Sequence, residues 1–320
     1  MAMRISGPVS IIRPLDPKLL KELKLEGHGN SPTEDLIANI NAAICASTVI
    51  WELGRLAVLR IGPDIVVKIA AKLDLNHLTI LDHIRLHAPD LPIHNVLGVC
   101  MGPYERTYIW MDHVKGQPLD RLWPDFTEKQ KLSVQAQLGT MFTRLRAIPR
   151  QPTASGDFPL GSGEPRRCKD RRRHMRESIH PIHTEDEFNK FLFDRPRSVC
   201  GHGHTTKDMI RSFMRTDHDI VLTHGDLHPR NIMVSLVQEP DEQRDSSSSG
   251  EVIYNPQLTG VVDWETAGWY PSYWEFAKAL ETIYPHDGLT DWWAYLPTMA
   301  IGSWGAEYAI DRMVEQYVWN

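Results

Sequence analysis

The sequence predicts an α+β protein built from two lobes, a small antiparallel sheet followed by a larger and mainly helical part. Short β-branched and aromatic runs separated by turn residues fill residues 47–111, which is typical of antiparallel strands. Beyond Gly116 the apolar residues recur instead at the spacing of helix faces. A chain of 320 residues is long enough for one large domain or for two lobes with separate cores.

The composition excludes several classes of protein. With 42% hydrophobic residues, 24% charged residues and a formal net charge of −6, the chain is not collagen-like, wholly disordered or a small disulfide-stapled protein. Its first thirty residues contain no apolar stretch suited to a signal peptide. No window approaches the roughly 18 uninterrupted apolar residues of a membrane span. We therefore expect a cytoplasmic protein that makes no membrane contact.

Residues 47–70 are expected to form a three-stranded meander, because Gly54 and the Gly-Pro-Asp turn that begins at Gly62 separate three strand-like runs. Residues 72–87 carry Leu and Ile at near-helical spacing, which predicts a helix lying on the sheet. Pro89 ends that helix.

Two further apolar runs would complete a five-stranded sheet, namely Val96–Met101 and Thr107–Met111. The predicted boundaries follow from this sheet. They are 1–45 for an N-terminal extension, 46–111 for a nucleotide-binding first lobe and 112–320 for the second lobe.

The second lobe is expected to contain a long helix near its start. Thr127 and Gln130 have the spacing of a capping box, and four apolar residues follow at steps of four, three and four, namely Val134, Leu138, Met141 and Leu145. Two shorter helices are expected at 185–194 and 206–216. The range 151–180 is rich in Gly, Pro and Arg and is expected to be irregular.

Strand-like runs return in the second lobe as DIVLTHGDL, NIMVSLV and LTGVVDW. A charged and Ser-rich stretch, about 238–251, separates the last two runs. Such a stretch does not bury apolar surface, so we expect a flexible insert at a hairpin tip. We interpret it as an insertion rather than as a phosphorylated regulatory site.

The segment THGDLHPRN, between two of these strand-like runs, carries the sharpest chemical signal. It places Asp226 and Asn231 five residues apart, and Asp263 follows 32 residues later at the end of another apolar run. Mg²⁺ prefers oxygen ligands and is commonly held by one or two protein groups plus substrate phosphates. A second carboxylate then remains to accept a proton from an attacking hydroxyl. The competing interpretation is that Asp226 and Asn231 only form a turn.

These motifs resemble those of the aminoglycoside phosphotransferase and choline kinase-like family. HGDLHPRN followed by VVDWE is similar to the catalytic loop and the later metal-binding Asp of that family. The resemblance extends from about residue 46 to residue 320 and includes RTYIWMDHVKGQPL and AGWYPSYWEFAKAL. It implies a two-lobed protein kinase-like fold, with a small antiparallel-sheet N-lobe and a larger, mainly helical C-lobe.

The resemblance also implies a role for each matching residue. Asp226 matches the catalytic base, and Asn231 and Asp263 match the magnesium ligands. Lys68 matches the lysine that contacts the α- and β-phosphates, although from its strand alone it would be interpreted as an exposed lysine on an edge strand. The adenine edge would contact the backbone of four residues, namely Met111, Asp112, His113 and Val114.

The implied function is an ATP- and Mg²⁺-dependent phosphotransferase that moves the γ-phosphoryl group to a hydroxyl of a small molecule. Two positions depart from the family pattern. Thr79 stands near the place of the helix glutamate that pairs with the strand lysine, and the first hairpin contains Gly54 but no GxGxxG. The alternative is therefore a kinase-like nucleotide-binding protein with little or no turnover. His224 is expected to stabilise its loop rather than to act chemically.

The four cysteines are widely spaced with no CxxC pair, which predicts buried or incidental free thiols. A zinc site made of Cys168, Cys200, His202 and His204 would support a third function, that of a metal-binding adaptor. Its spacing matches no common zinc module, so we favour a solvated loop.

The run RRCKDRRRHMR, residues 166–176, contains seven basic residues in eleven. Such a run is able to bind an anionic substrate, nucleic acid or an import factor, or it is a solvated basic loop. We favour the solvated loop in a chain of net charge −6, and we expect no nucleic-acid partner.

Aromatic residues are concentrated in the last sixty residues, which hold 14 of the 27 Phe, Trp and Tyr residues and seven of the ten Trp. Rings mixed with acids such as Glu265 and Glu275 suit a hydroxyl acceptor that carries a cationic amine. The favoured interpretation is that most of the rings pack helices together. Glu265 and Glu275 are interpreted either as acceptor contacts or as buried partners of a nearby loop.

Overall fold

The structure is a computed structural model that describes residues 4–26, 34–172, 175–193, 204–238, 254–281, 283 and 288–319. The described residues up to Asp74, together with Ile93–Val114, form a first compact unit. Leu75–Pro92 and the described residues from Lys115 onward form a second. Each unit has a core of buried apolar side chains. The Ser-rich insert predicted at 238–251 falls outside the described residues apart from Gln238.

The first unit is a six-stranded antiparallel sheet with two helices. Its elements are β1 (Ser10–Arg13), α1 (Pro17–Glu22), α2 (Glu34–Ala46), β2 (Thr48–Leu53), β3 (Leu56–Arg60), β4 (Ile65–Ala71), β5 (Val96–Gly102) and β6 (Arg106–Asp112). The strand order is β1-β5-β6-β4-β3-β2, and every neighbouring pair is antiparallel. The three-stranded meander and the two later strands predicted from the sequence are therefore present.

The sheet has one strand more than predicted, because β1 pairs with β5. The range 1–45 was expected to be an extension, yet its described residues contribute to the first unit, and Leu19 and Ile40 are wholly buried in the core. The Asn41 side chain binds both backbone polar groups of Ile5, accepting its N–H at 2.7 Å and donating to its carbonyl at 2.9 Å. A strand of four residues has too short a pattern for its sequence to reveal it.

Lys68 lies on an inner strand of this sheet. Its strand, β4, runs between β3 and β6, so that Lys68 is opposite Val58 on one side and Ile109 on the other. The side chain is half-buried, whereas Val67 and Ile69 beside it are buried. The interpretation of Lys68 as an edge-strand residue is therefore wrong.

The second unit is the larger one and contains most of the helices. Its elements are α3 (Leu78–His87), β7 (Gln117–Pro118), α4 (Leu119–Leu122), α5 (Glu128–Arg146), β8 (Ser162–Gly163), β9 (Arg166–Arg167), β10 (Lys169–Arg171), β11 (Met175–Glu177), α6 (Glu185–Leu192), α7 (His204–Phe213), β12 (Ile220–Thr223), β13 (Ile232–Gln238), β14 (Tyr254–Val261), β15 (Gly268–Pro271), α8 (Trp274–Glu281), α9 (Thr298–Ile301) and α10 (Gly305–Trp319). The helix predicted at 72–87 starts later, at Leu78, and belongs to this unit. Within the described part of the chain, no helix is long and apolar enough to span a membrane.

The long helix α5 agrees with its prediction at the level of single hydrogen bonds. The Thr127 side chain accepts the Gln130 N–H at 3.4 Å, and Gln130 accepts the Thr127 N–H at 2.9 Å, which completes the capping box. All four residues of the predicted apolar stripe are buried, namely Val134, Leu138, Met141 and Leu145. The helices α6 and α7 likewise correspond to the two shorter helices predicted from the sequence.

Two small sheets frame the predicted catalytic loop. β12 pairs antiparallel with β15, and β13 pairs antiparallel with both β14 and β7. The loop from His224 to Asn231 therefore joins the end of one sheet to the start of the other. β14 ends at Val261, two residues before Asp263.

The described residues of the basic run, 166–172 and 175–176, do not form the solvated loop expected from the sequence. β8 pairs with β9 and β10 pairs with β11, so the range 151–180 also contains more regular structure than predicted. The side chains of Arg172 and Arg176 are buried, and Asp170 neutralises both of them. We call the following six residues the buried charge cluster: Asp170, Arg172, Arg176, Lys278, Glu281 and Asp311.

Most of the aromatic side chains near the C-terminus pack inside the second unit, as favoured from the sequence. Trp264, Trp269, Trp274 and Trp292 are buried. The Trp274 ring meets the Phe188 ring edge-on at 5.0 Å between centroids. These four tryptophans are consequently part of the core and not of an exposed aromatic surface.

Candidate active site

The loop from His224 to Asn231 is held by the His224 ring. Nε2–H of this ring donates to the Val262 carbonyl at 3.0 Å, and Nδ1 accepts the Asp226 N–H at 3.2 Å. These partners fix the tautomer, since a carbonyl only accepts and an amide N–H only donates. The Trp264 ring packs edge-on against the imidazole at 4.7 Å. Both ring nitrogens are therefore used in holding the loop, which agrees with the structural role expected for His224.

The carboxylate of Glu275 also holds the loop. It accepts the backbone N–H of His224 at 2.7 Å and that of Gly225 at 3.2 Å. Burial raises the pKa of Glu275 above its usual value, although His224 and the two backbone hydrogen bonds act to lower it. Of the two interpretations of Glu275, that of a buried loop partner is confirmed. Gly225 has φ +80°, and a Cβ there would lie 3.0 Å from the Thr266 carbonyl oxygen, so the turn favours glycine.

Asp226, the predicted catalytic base, is almost completely buried. Its Oδ2 accepts a hydrogen bond from Asn231 Nδ2 at 3.1 Å and another from Arg171 Nη1 at 3.4 Å. Its Oδ1 is buried and accepts no hydrogen bond from any described residue, although Arg230 Nη2 lies 3.6 Å away. A buried carboxylate oxygen without a hydrogen bond is costly, and it is able to accept one from a ligand.

Asn231 and Asp263, the predicted magnesium ligands, are adjacent through backbone pairing. The Val262 N–H donates to the Asn231 carbonyl at 2.8 Å. Asn231 Nδ2 donates to the carbonyl oxygen and to Oδ2 of Asp226, at 2.9 and 3.1 Å, which leaves its Oδ1 for a cation. Asp263 adopts the left-handed conformation, with φ 65° and ψ 59°, which is uncommon for a residue other than glycine. The structure thus brings the three predicted residues of the second unit near one another.

The donor set of this site fits a magnesium ion. Asn231 Oδ1 and the Asp263 carboxylate are hard oxygen ligands of the kind Mg²⁺ takes from a protein, with the remaining ligands supplied by phosphates and water. Within the described ranges, no group of three or more His, Cys, Asp and Glu side chains is arranged to hold a metal. An ion at this site would accordingly depend on the nucleotide for most of its ligands.

The remaining predicted site residues lie in the first unit, namely Lys68, Met111, Asp112, His113 and Val114. The helix position expected to carry a partner for Lys68 belongs to the second unit. There, the Thr79 hydroxyl donates to the Asn76 carbonyl at 2.8 Å, in the first turn of α3. This position therefore supports the helix start and offers no carboxylate.

At the end of β6, the backbone N–H groups differ in whether they are already hydrogen-bonded. The Asp112 N–H donates to the Asn95 carbonyl at 3.0 Å, and the His113 N–H donates to the Asp64 carbonyl at 2.9 Å. Among the described residues, the Val114 N–H has no hydrogen-bond acceptor. Of these three backbone N–H groups, that of Val114 is the one left for an adenine edge.

Arg171 is a residue of this site that sequence reasoning missed. Its Nη1 lies 3.4 Å from Asp226 Oδ2, and its Nη2 is paired with Glu265 Oε1. Burial acts to lower the pKa of Arg171, but the carboxylates of Glu265, Asp263 and Asp226 outweigh it and raise that pKa. The signal in the sequence is Asp170, an acid in the middle of the basic run, which indicates internal pairing rather than solvation.

The zinc site considered from the sequence gains no support from the described residues. Cys168 is buried, and burial raises the pKa of its thiol well above the usual value. Cys200, His202 and the side chain of His204 lie outside the described residues.

Comparison with protein families gives a match to the model APH, the phosphotransferase enzyme family, over residues 56–244. The match spans more than half of the chain and includes Lys68, Asp226 and Asn231, whereas Asp263 lies beyond its end. The chain therefore belongs to this phosphotransferase family. No curated protein sequence matches the chain significantly.

Solved structures with the same architecture are aminoglycoside phosphotransferases. APH(4)-Ia is 15% identical and aligns over 85% of both chains with a TM-score of 0.50. The streptomycin–ATP–APH(2″)-IIa ternary complex is 13% identical and aligns over 90% of this chain and 92% of that chain, also with a TM-score of 0.50. At such identities the likeness concerns the fold alone. It confirms the α+β, protein kinase-like fold class expected from the resemblance.

Proposed function

We propose that the protein is an ATP- and Mg²⁺-dependent phosphotransferase that moves the γ-phosphoryl group of ATP to a hydroxyl of a small molecule. The observation that carries this proposal is the state of Asp226. Its Oδ1 is buried and accepts no hydrogen bond from the described residues, and its Oδ2 is held by Asn231. A hydroxyl that donates to Oδ1 would be oriented for attack, and its proton would have an acceptor.

In the proposed reaction the acceptor oxygen forms a bond to the γ-phosphorus of ATP. The bond from that phosphorus to the bridging β–γ oxygen breaks, and ADP leaves with the electron pair. Asp226 receives the hydroxyl proton, which makes it the general base. Positioning and electrostatic stabilisation supply most of the rate in this class of reaction.

The other predicted residues complete the proposal. Asn231 and Asp263 would hold Mg²⁺, which neutralises charge on the β- and γ-phosphates when bound. Lys68 would contact the α- and β-phosphates. The adenine edge would contact the backbone at Met111–Val114, where the Val114 N–H is a free donor among the described residues. A cytoplasmic location remains a prediction of the sequence.

The acceptor is proposed only as a small molecule with a hydroxyl. Aminoglycosides are candidates because streptomycin and hygromycin B are bound in complexes of similarly folded proteins. Choline, ethanolamine and other amino alcohols are candidates through the sequence resemblance and the aromatic residues near the C-terminus. The burial of Trp264, Trp269, Trp274 and Trp292 removes those four rings as acceptor contacts in this structure.

Calorimetric titration of the full chain with a non-hydrolysable ATP analogue, with and without Mg²⁺, tests the proposal. We expect binding that Mg²⁺ strengthens, and we expect Asp263→Asn to abolish that strengthening. Asp125→Asn, which alters an exposed aspartate of the same unit, is the matched control. Phosphoryl transfer from ATP to the acceptor panel then identifies the substrate. If the wild-type protein binds no nucleotide, the proposal is wrong.

A second candidate function is nucleotide binding with little or no turnover. The observation that favours it is Thr79, whose hydroxyl is bonded to the Asn76 carbonyl where a partner for the nucleotide lysine is expected. This function predicts Mg²⁺-dependent nucleotide binding that is unaffected by Asp226→Ala, and no transfer to any acceptor. Transfer that is lost in Asp226→Ala would exclude it.

A further inference from the structure

Two contacts hold the Arg171 side chain in the candidate active site. One nitrogen of its guanidinium is paired with Glu265, and the other lies 3.4 Å from the carboxylate of Asp226. The side chain is 35% exposed. These two contacts use two of the five N–H donors of a guanidinium, so further donors remain for a ligand.

The strand β10 explains why this arginine reaches the site while its neighbours do not. Side chains alternate between the two faces of a strand. Lys169 and Arg171 lie on one face, and both contact Glu265, through its backbone carbonyl at 2.9 Å and its carboxylate respectively. Asp170 lies on the other face, inside the buried charge cluster, where it contacts Arg172 at 2.8 Å.

The buried charge cluster therefore fixes the backbone from which Arg171 projects. Asp170 also pairs with Lys278 at 2.7 Å and with Arg176, which lies directly opposite it on β11. The fold thus holds the Arg171 guanidinium firmly, yet leaves it partly exposed beside the carboxylate of Asp226. A positively charged group in such a place is suited to an anionic ligand.

We propose that Arg171 is a catalytic arginine, supplied by the chain itself, that contacts the transferred phosphoryl group. The proposal rests on the proposed function. In the transition state of phosphoryl transfer, charge is spread over the three equatorial oxygens of the γ-phosphoryl group, between the base and the metal. Arg171 contacts the proposed base, Asp226, and lies close enough to the proposed metal ligand, Asp263, to be affected by its charge.

The contact distances favour this role over that of a fixed partner for Asp226. The separation of 3.4 Å from Asp226 is long for a charge-assisted hydrogen bond, which is normally about 2.7–2.9 Å. Glu265 holds the guanidinium more closely and so would retain it when Asp226 engages the acceptor hydroxyl. Nη1 is then available to an equatorial phosphoryl oxygen. An arginine in this position is typically worth roughly 10³–10⁵ in kcat.

The test compares the binding of ADP–Mg²⁺ with and without fluoroaluminate, which completes a mimic of the planar phosphoryl group. Calorimetry on the full chain would give the two affinities, with and without fluoroaluminate. The proteins compared are the wild type, Arg171→Ala, Arg171→Lys and the control Arg167→Ala. Arg167 is a half-buried arginine of the same run, and its side chain donates to the Arg166 carbonyl. The ¹⁹F resonances of the bound fluoroaluminate give a second readout that does not depend on turnover.

We expect fluoroaluminate to strengthen ADP binding by about 10²-fold or more in the wild type and in Arg167→Ala. In Arg171→Ala, ADP alone should bind within about twofold of the wild-type affinity while the strengthening is lost. Arg171→Lys should recover part of it, since a lysine keeps the charge but not the fork of donors. The ¹⁹F resonances of bound fluoroaluminate should be absent in Arg171→Ala and shifted in Arg171→Lys relative to the wild type.

Two results would overturn the assignment of Arg171. In the first, Arg171→Ala binds the fluoroaluminate complex as the wild type does. In the second, Arg171→Ala weakens ADP and the fluoroaluminate complex by the same factor, which would make Arg171 a structural residue. Failure of the wild type to bind ADP–Mg²⁺ at all would instead refute the proposed function, and the role of Arg171 with it.

Discussion

Two clusters of charged residues lie on opposite faces of β10, and they differ in how tightly their charges are paired. In the buried charge cluster, Asp170 is wholly buried and contacts Arg172 and Lys278 at 2.8 and 2.7 Å. In the candidate active site, Asp226 is also buried, but the guanidinium groups of Arg171 and Arg230 lie 3.4 and 3.6 Å from it. Carboxylates and cationic groups are therefore tightly paired in the buried charge cluster and loosely paired around Asp226.

This difference separates stability from function. Burial acts to raise the pKa of Asp170, but Lys278, Arg172 and Arg176 outweigh it and hold that pKa far below the usual value. Such a carboxylate is tied to its partners and has no capacity for a ligand. Asp226, in contrast, has one oxygen without a hydrogen bond among the described residues. A carboxylate that is to exchange partners during a reaction has to be held in this looser way.

The strongest test of this contrast is Asp226→Asn. The amide keeps the shape of the side chain but removes the proton acceptor, so kcat should fall by about 10²–10⁴-fold. The free energy of unfolding should change by less than about 1 kcal/mol, because the two guanidinium contacts are long. Steady-state transfer assays and urea denaturation measure the two effects. A stability loss as large as the activity loss would contradict the contrast.

The reciprocal substitution, Asp170→Asn, should act on stability. It leaves Arg172, Arg176 and Lys278 buried without their shared acid, which should lower the free energy of unfolding by about 3–5 kcal/mol. Urea denaturation monitored by tryptophan fluorescence measures this loss. Asp157→Asn, at an exposed aspartate of the second unit, is the matched control and should be nearly neutral. An unchanged unfolding midpoint for Asp170→Asn would show that the cluster does not stabilise the fold.

The buried charge cluster should also give stability a pH dependence with two limbs. Because the pKa of Asp170 is depressed on folding, its contribution is lost as the pH falls below about 4. Burial raises the pKa of Glu281 from its usual value of 4.5 to about 7. Between pH 4.5 and pH 7, the folded state therefore binds more protons than the unfolded state. Stability should therefore fall by about 1–3 kcal/mol as the pH rises from 4.5 to 7.

Unfolding free energies measured between pH 3 and pH 8 test both limbs. Glu281→Gln should flatten the upper limb and leave the acid limb in place. An upper limb that persists unchanged in this variant would mean that another group causes it.

The smallest effect is expected at Arg230. Its side chain is 46% exposed and its nitrogen lies 3.6 Å from Asp226, so Arg230→Gln should change the free energy of unfolding by about 0–1 kcal/mol. The effect should shrink further at high salt, because exposed pairs are screened. Denaturation at low and high ionic strength measures it. A loss of several kcal/mol would place Arg230 with the tightly held residues of the other cluster.

Features that are local in the chain could be predicted from the sequence. The capping box of α5 spans four residues, so spacing alone predicts it, and the contact between Asp226 and Asn231 lies within one loop. The apolar stripe of α5 repeats over several turns, so its period could also be recognised in the sequence. The fold class followed from the resemblance, and the family match agrees with it.

Features that depend on distant partners could not be predicted. The burial of Arg172 depends on Asp311, which lies 139 residues later, and no periodic pattern links the two. Arg171 was hidden for the same reason, because Asp226 is 55 residues away and Glu265 is 94 residues away. The strand β1 was missed since its partner, β5, lies far along the chain and its own pattern is only four residues long.

The alternation of side chains along β10 also limits insertions and deletions in the segment that precedes this strand. Because the side-chain period of a strand is two, deleting or inserting one residue just before β10 would exchange its two faces. Asp170 would then point toward Glu265 and Asp226, while Arg171 would enter a cluster that contains Arg176 and Lys278. Like charges would meet on both sides at once. The length of the segment leading into β10 is therefore constrained as strictly as its composition, and insertions should be tolerated only in steps of two.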